Sequence, residues 1–154
     1  MPNHEIMILM ADDDDDDFLL TKKALKKSKL LNTLRRVKDG EELMDYLKRR
    51  HEYEHDKNWE RPGVILLDLN MPRKDGREAL KEIKSDPDLR GIPVVIFTTS
   101  KAEEDIYRSY RLGVNSFITK PVTFENLIKV MQALGNYWFE IVELPPAKDH
   151  GARD

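Results

Sequence analysis

Residues 6–17 read Ile-Met-Ile-Leu-Met-Ala and then six aspartates in a row, Asp12 to Asp17. A short, unbroken apolar run has the character of a strand covered on both faces, as in a parallel sheet. Here that run stops in a block of acid. Two more runs repeat the pattern: Val64–Leu67 stops at Asp68, and Val94–Phe97 stops at Thr98. Leu34–Val37 and Phe117–Thr119 complete five stretches of strand character, the last followed by Lys120 and Pro121.

Amphipathic stretches lie between these runs. At about 100° per residue, Leu20, Thr21, Ala24, Leu25 and Ser28 gather on one side of the first, with Lys22, Lys23, Lys26 and Lys27 on the other. Leu43, Met44 and Leu47 mark a second helix, and Ala79, Leu80 and Ile83 a third. Ala102, Ile106 and Tyr110 mark a fourth, with Gly113 as its C-terminal cap. Phe124, Leu127, Ile128, Met131 and Leu134 mark a fifth. Strands alternating with helices predict an α/β domain: a doubly wound, five-stranded parallel sheet with helices on both faces.

Composition agrees with a single domain. The chain has 154 residues, 40% of them hydrophobic, enough for a real core. It has no cysteine, which excludes disulfides, thiolate zinc sites and thiol nucleophiles. A net charge of −3 gives no general pull toward nucleic acid or an anionic membrane. Met1–Glu5 carries no basic segment, and Ile6–Ala11 is too short for a signal peptide or a membrane span. A cytoplasmic protein is expected.

In doubly wound sheets, ligands bind beyond the carboxyl ends of the strands. That edge here would carry Asp12, Asp13, Asp68, Thr98 and Lys120. Taken singly, each has an ordinary explanation: an Asp after a strand caps or turns, a Thr favours strands, a Lys is solvated. Converging on one edge, three carboxylates call for a hard cation with oxygen ligands, Mg²⁺ above all. Such a site suits a phosphoryl group: cations neutralise its oxygens while a carboxylate attacks phosphorus.

These stretches resemble the receiver domain of response regulators, the phosphoacceptor half of two-component signalling. The resemblance rests on Ile8-Leu9-Met10-Ala11-Asp12-Asp13, on Leu66-Leu67-Asp68-Leu69-Asn70-Met71-Pro72 with Asp75-Gly76, on Ile92-Pro93 through Thr98, and on Phe117-Ile118-Thr119-Lys120-Pro121. It implies a flavodoxin-like, CheY-like fold in which Asp68 accepts a phosphoryl group from a sensor histidine kinase. It further implies that Asp12, Asp13, Asp68 and the backbone carbonyl of Asn70 hold Mg²⁺. Thr98 would be the switch hydroxyl, Lys120 its ion-pair partner, Phe117 a rotating aromatic, and the Lys120–Pro121 peptide bond cis.

Within the family, the chain is similar to small receivers that serve bacterial phytochromes. Asp13-Asp14-x-x-Asp17, Val37-Lys38-Asp39-Gly40-Glu41-Glu42, Thr98-Thr99-Ser100-Lys101 and Tyr137-Trp138 leading to Val142-Glu143-Leu144-Pro145 carry that likeness, with the long segment from Lys48 to Pro62. It implies a phytochrome-type photoreceptor kinase as partner. Asn70 and Ser100 stand where the family adjusts water access to the phosphate.

Other motifs in the chain carry less. His51-Glu52-Tyr53-Glu54-His55 is a literal H-E-x-x-H, but it sits in a polar stretch with no third ligand in view. A solvated end of the second helix and adventitious metal binding by His51 and His55 are the readings preferred over catalytic zinc. An EF-hand starting at Asp12 or Asp13 lacks both its Gly and its final Glu. The chain has no P-loop, and Arg35-Arg36 reads as a solvated edge.

The expected organisation is a receiver domain over 4–144 and a flexible tail over 145–154. The expected role is a stand-alone response regulator, not a turnover enzyme, which signals by altered binding to a downstream protein and not to nucleic acid. Two rivals remain: a pseudo-receiver that is never phosphorylated, and a haloacid-dehalogenase-like phosphatase. The second wants an Asp two residues after its nucleophile, where Asn70 stands. The aromatics Tyr137-Trp138-Phe139 either fold back on their own domain or, with the last helix, form a homodimer interface.

Overall fold

The structure is a computed structural model that describes residues 5–139, with side chains through residue 137. Five strands alternate with five α-helices: β1 (Ile8–Ala11), α1 (Asp15–Lys27), β2 (Leu34–Val37), α2 (Gly40–Leu47), β3 (Val64–Leu67), α3 (Gly76–Ser85), β4 (Val94–Thr98), α4 (Glu103–Leu112), β5 (Ser116–Thr119) and α5 (Phe124–Leu134). The sheet is wholly parallel, in the order β2-β1-β3-β4-β5. This is the expected doubly wound fold. Its topological switch point lies between β1 and β3, where consecutive crossovers leave in opposite directions.

Strand alternation explains the two cores. Met7, Leu9, Ala11, Ile65, Leu67, Val94 and Ile96 face one layer, shared with residues of α2 and α3. Ile8, Met10, Val64, Leu66, Val95 and Phe97 face the other, under α1 and α5. Both faces of β1, β3 and β4 are covered, so these strands are apolar apart from Thr98, the last residue of β4.

Four of the five helix starts are set by side-chain caps, all but that of α4. Asp14 accepts from the N–H groups of Asp16 and Asp17, Asp39 from Glu42, Asp75 from Arg77 and Glu78, and Thr123 from Asn126. Gly113 ends α4 in the left-handed region at φ 99°, as its sequence position predicts. Among the described residues no helix is long and apolar enough to cross a membrane.

Several expectations change. On α4 only Ser109 is buried; Ala102 is an exposed cap residue and Tyr110 is half exposed. Tyr110 instead turns toward edge strand β5, where its hydroxyl accepts from the Phe117 N–H at 3.1 Å. On α1, Leu20 is 40% exposed while Thr21 takes the core position beside Ala24 and Leu25. Arg35 and Arg36 are not a solvated edge. Arg35 pairs with Asp56 at 3.1 Å and lies over the Tyr46 ring, and Arg36 pairs with Asp15 at 2.6 Å and lies over Phe18.

The segment after α2 is built, not merely solvated. Tyr46 stacks on Trp59 and meets Tyr53 edge-on, with centroids 5.7 and 4.9 Å apart. Trp59 Nε1 donates to the Tyr46 carbonyl, and Arg49 covers the Trp59 ring. The H-E-x-x-H residues fall on a short 3₁₀ turn, His51–Tyr53, rather than on a helix against a cleft. Both histidines are exposed; His51 pairs with Asp45 and His55 faces Glu54.

The Lys120–Pro121 bond is trans, contrary to what the resemblance implied, and no described peptide bond is cis. Trans is the lower-energy isomer of an X-Pro bond, by about 0.5–1 kcal/mol. Here it is compatible with Lys120 N donating to Thr98 O at 2.7 Å and with the lysine side chain reaching the strand edge. His4 and the outer limits of the expected domain and tail, residues 140–154, lie outside the described residues, as do the side chains of Trp138 and Phe139.

Gly76 is dictated by close approach. A Cβ there would come within 2.1 Å of the Asp68 carbonyl oxygen and 2.7 Å of the Leu69 Cα. Both are backbone and cannot step aside. Gly76→Ala should therefore cost about 1–3 kcal/mol of stability in urea unfolding. Gly91→Ala, where a Cβ meets nothing within 4 Å, should stay within about 0.5 kcal/mol of wild type.

Candidate functional site

The parallel registers bring the expected residues together. Ala11 pairs with Leu67, and the Asp68 N–H donates to the Ala11 carbonyl at 3.0 Å, so Asp12 and Asp68 leave adjacent strands side by side. Thr98 is the last residue of β4 and pairs with Thr119, which puts Lys120 just past the same edge. Asp12, Asp68 and Thr98 are buried. Asp13 is exposed at the rim, yet oxygens of Asp12, Asp13 and Asp68 all lie within 4.8 Å of one another.

Asp68 is held by donors on both oxygens. Thr98 Oγ1 donates to Oδ1 at 2.7 Å and Asn70 N at 3.1 Å; Lys120 Nζ donates to Oδ2 at 3.0 Å. Lys120 also donates to Asp17 Oδ2 at 2.7 Å. Its ammonium is equally 2.7 Å from Asp12 Oδ2. Asp12 Oδ2 is buried, and what it meets is this ammonium, which it shares with Asp17 and Asp68.

Electrostatics follow from this crowding. Burial pushes Asp12 up to about 6, only partly opposed by Lys120 and by the Asp14 N–H on its Oδ1. For Lys120, burial alone would lower the ammonium's pKa. Contacts with Asp12 and Asp17 and the charges of Asp12 and Asp68 outweigh it, and the pKa is raised, so the ammonium stays charged.

Three carboxylates, of Asp12, Asp17 and Asp68, thus surround one ammonium, and Asp13 adds a fourth beside Asp12 and Asp68. The excess negative charge and the all-oxygen donor set are what a hard divalent cation at Asp12, Asp13 and Asp68 would satisfy. The residues present fit such an ion.

Sequence reasoning missed three contributors. Asp17, in the first turn of α1, ion-pairs with Lys120. Asp105 and Arg77, on α4 and α3, form a paired bridge beside Asn70 and Ser100. No motif marks them, because their contacts join separate elements. Phe117 is half-buried against the core on the α2–α3 side.

Comparison with known proteins decides the family. The family model described as the response regulator receiver domain matches residues 8–132. The chain belongs to the response-regulator receiver family. As a receiver, it is 45% identical over 141 residues to the response regulator Rcp1 of Synechocystis, an alignment covering 92% of this chain and 94% of that protein. A crystal structure of the phosphorylated cyanobacterial phytochrome response regulator RcpA superposes with a TM-score of 0.84 at 41% identity, covering 93% of this chain and all of that one. The Mn²⁺-bound form of Rcp1 gives 0.83 at 44% identity, covering 92% of this chain and 99% of that one. The chain is accordingly a receiver-domain response regulator of two-component signalling, and phytochrome response regulators are among its relatives.

One pH dependence follows from the bridge. Hydrogen bonds from Arg77 hold the Asp105 carboxyl down to about 2, with Ser100 helping. A folded-state pKa below the unfolded value contributes stability above about pH 4 that fades as the pH falls toward 2. Asp105→Asn should therefore lower the urea midpoint by a constant amount above that range. The gap to wild type should close progressively below it, in unfolding titrations at stepped pH.

Proposed function

We propose that this receiver takes a phosphoryl group onto Asp68 from the phosphohistidine of a sensor histidine kinase, with Mg²⁺ held by Asp12, Asp13, Asp68 and the backbone carbonyl of Asn70. The observation that carries the reading is the set of donors on Asp68, with Thr98 on one oxygen and Lys120 on the other. A purely structural Asp at a strand end needs neither a buried ammonium nor a buried hydroxyl beside it.

In the transfer, the nitrogen–phosphorus bond of the kinase breaks as an Asp68 oxygen bonds phosphorus, and the imidazole takes a proton from solvent. A bound divalent ion supplies charge neutralisation of the phosphoryl oxygens. Lys120 stays protonated and offers its N–H groups to those oxygens as they arrive. Thr98 Oγ1, now donating to Asp68 Oδ1, is positioned to donate to the phosphoryl group instead. Thr98 and Phe117 would then carry the switch to the surface, and the output is altered binding of a downstream protein.

The relative RcpA is described as a phytochrome response regulator, which supports a phytochrome-type photoreceptor kinase as the donor. The receiver unit of this reading runs over 4–144, followed by a tail over 145–154. The chain assists its own phosphorylation without being a turnover enzyme.

The test is intact-mass measurement after incubation with acetyl phosphate and Mg²⁺. Wild type should gain one labile phosphoryl group; Asp68→Asn should gain none, and chelating the metal should prevent the gain. Lys120→Met should phosphorylate about 10²-fold more slowly, the scale of losing one preorganised charge donor. A wild type that gains nothing would establish the pseudo-receiver instead. An equal gain in Asp68→Asn would place the phosphoryl group elsewhere.

A further inference from the structure

Arg77 follows Gly76 at the start of α3 and reaches across to α4. Its Nε and Nη2 donate to the two oxygens of Asp105 at 2.8 and 2.7 Å, a two-pronged fork. Asp105 Oδ2 also accepts from Ser100 Oγ at 2.7 Å, and Ser100 N donates to Thr98 Oγ1 at 3.4 Å. On its other side the same guanidinium reaches Asn70 Oδ1 at 3.4 Å and the Leu69 carbonyl at 3.3 Å.

One side chain therefore ties together the two lips of the strand-edge cleft. Leu69 and Asn70 follow Asp68 just past β3; Ser100 and Asp105 lie beyond Thr98, the end of β4. Behind the fork lies a groove of about 400 Å³ between α3 and α4, with Leu80 and Leu112 in its lining. The bridge is thus not wedged in place by packing on that side. It rests on its hydrogen bonds, and its loss leaves the core intact.

We propose that Arg77 and Asp105 are positioning residues that clasp Asn70 and Ser100 over the mouth of the Asp68 site and so set how long a phosphoryl group there survives hydrolysis. The proposal rests on the phosphoacceptor reading of Asp68. In the step it controls, water bonds phosphorus, the bond from phosphorus to the Asp68 oxygen breaks, and a carboxylate and dihydrogen phosphate result. Asp68 is 6% exposed, and Asn70 N and Thr98 Oγ1, at the roots of the two clasped segments, both donate to its Oδ1. Releasing the clasp loosens both segments against the acceptor and admits the attacking water more often.

The whole chain is phosphorylated with acetyl phosphate and Mg²⁺, the donor is removed by rapid desalting, and loss of the phosphoryl group is followed by intact mass. Arg77→Gln and Asp105→Asn should each reach the wild-type extent of phosphorylation and lose the group about 3- to 10-fold faster. The double variant should decay no faster than either single one, because one clasp is lost in each case. Arg77→Lys, which keeps the charge but not the fork, should fall between, and it guards against a neutral variant that fails to fold. Unchanged or slower decay in the single variants overturns the clasp, as does a double variant whose acceleration is the product of the two. A wild type that takes no phosphoryl group overturns the phosphoacceptor reading and this proposal with it. Phosphorylation with unaltered decay overturns this proposal alone.

Discussion

A single buried ammonium organises this protein. Lys120 sits within 3.0 Å of carboxylates from the residue just past β3, from α1 and from the turn between β1 and α1. Each of those acids would be costly to bury alone, and Asp12 already shows the strain in its raised pKa. The lysine makes their proximity tolerable, and the carboxylates in turn keep it charged. Neutralisation is nevertheless incomplete, and the excess negative charge leaves an oxygen-lined sheet edge whose donor set suits a hard divalent ion.

The fold brings this about through backbone register. Parallel pairing of β1, β3, β4 and β5 delivers Asp12, Asp68, Thr98 and Lys120 to one edge, although they are far apart along the chain. Gly76 permits α3 to start directly against the Asp68 backbone, which no side chain there would allow. Asp75 caps that helix and aims Arg77 back toward the cleft. Site and scaffold are continuous here: the same turns that end the strands supply the chemistry.

The aspartate run shows how one stretch of sequence divides its labour. Asp12 and Asp13 join the acidic cluster, Asp14 caps α1, Asp15 pairs with Arg36, and Asp17 pairs with Lys120. Acids in the first turn also complement the positive end of the helix dipole. Six like charges in sequence are tolerated because the fold sends most of them to different partners.

Alternating apolar runs and amphipathic stretches were enough to read five strands, five helices and the doubly wound architecture, because burial on both faces leaves a local signature. The strand-end residues were legible for the same reason: Asp12, Asp68 and Thr98 directly follow apolar runs, and Asp13 and Lys120 stand one residue further on. Tertiary structure alone decided which neighbours they meet. Asp17 on Lys120, Arg36 on Asp15 and Arg77 on Asp105 are charged side chains whose periodicity reads as solvated surface. Tyr110 followed an apolar spacing yet serves edge strand β5 through its hydroxyl. Local pattern reports whether a residue is buried by its own element, whereas an ion pair between elements depends on register and crossover, which are settled only when the sheet assembles.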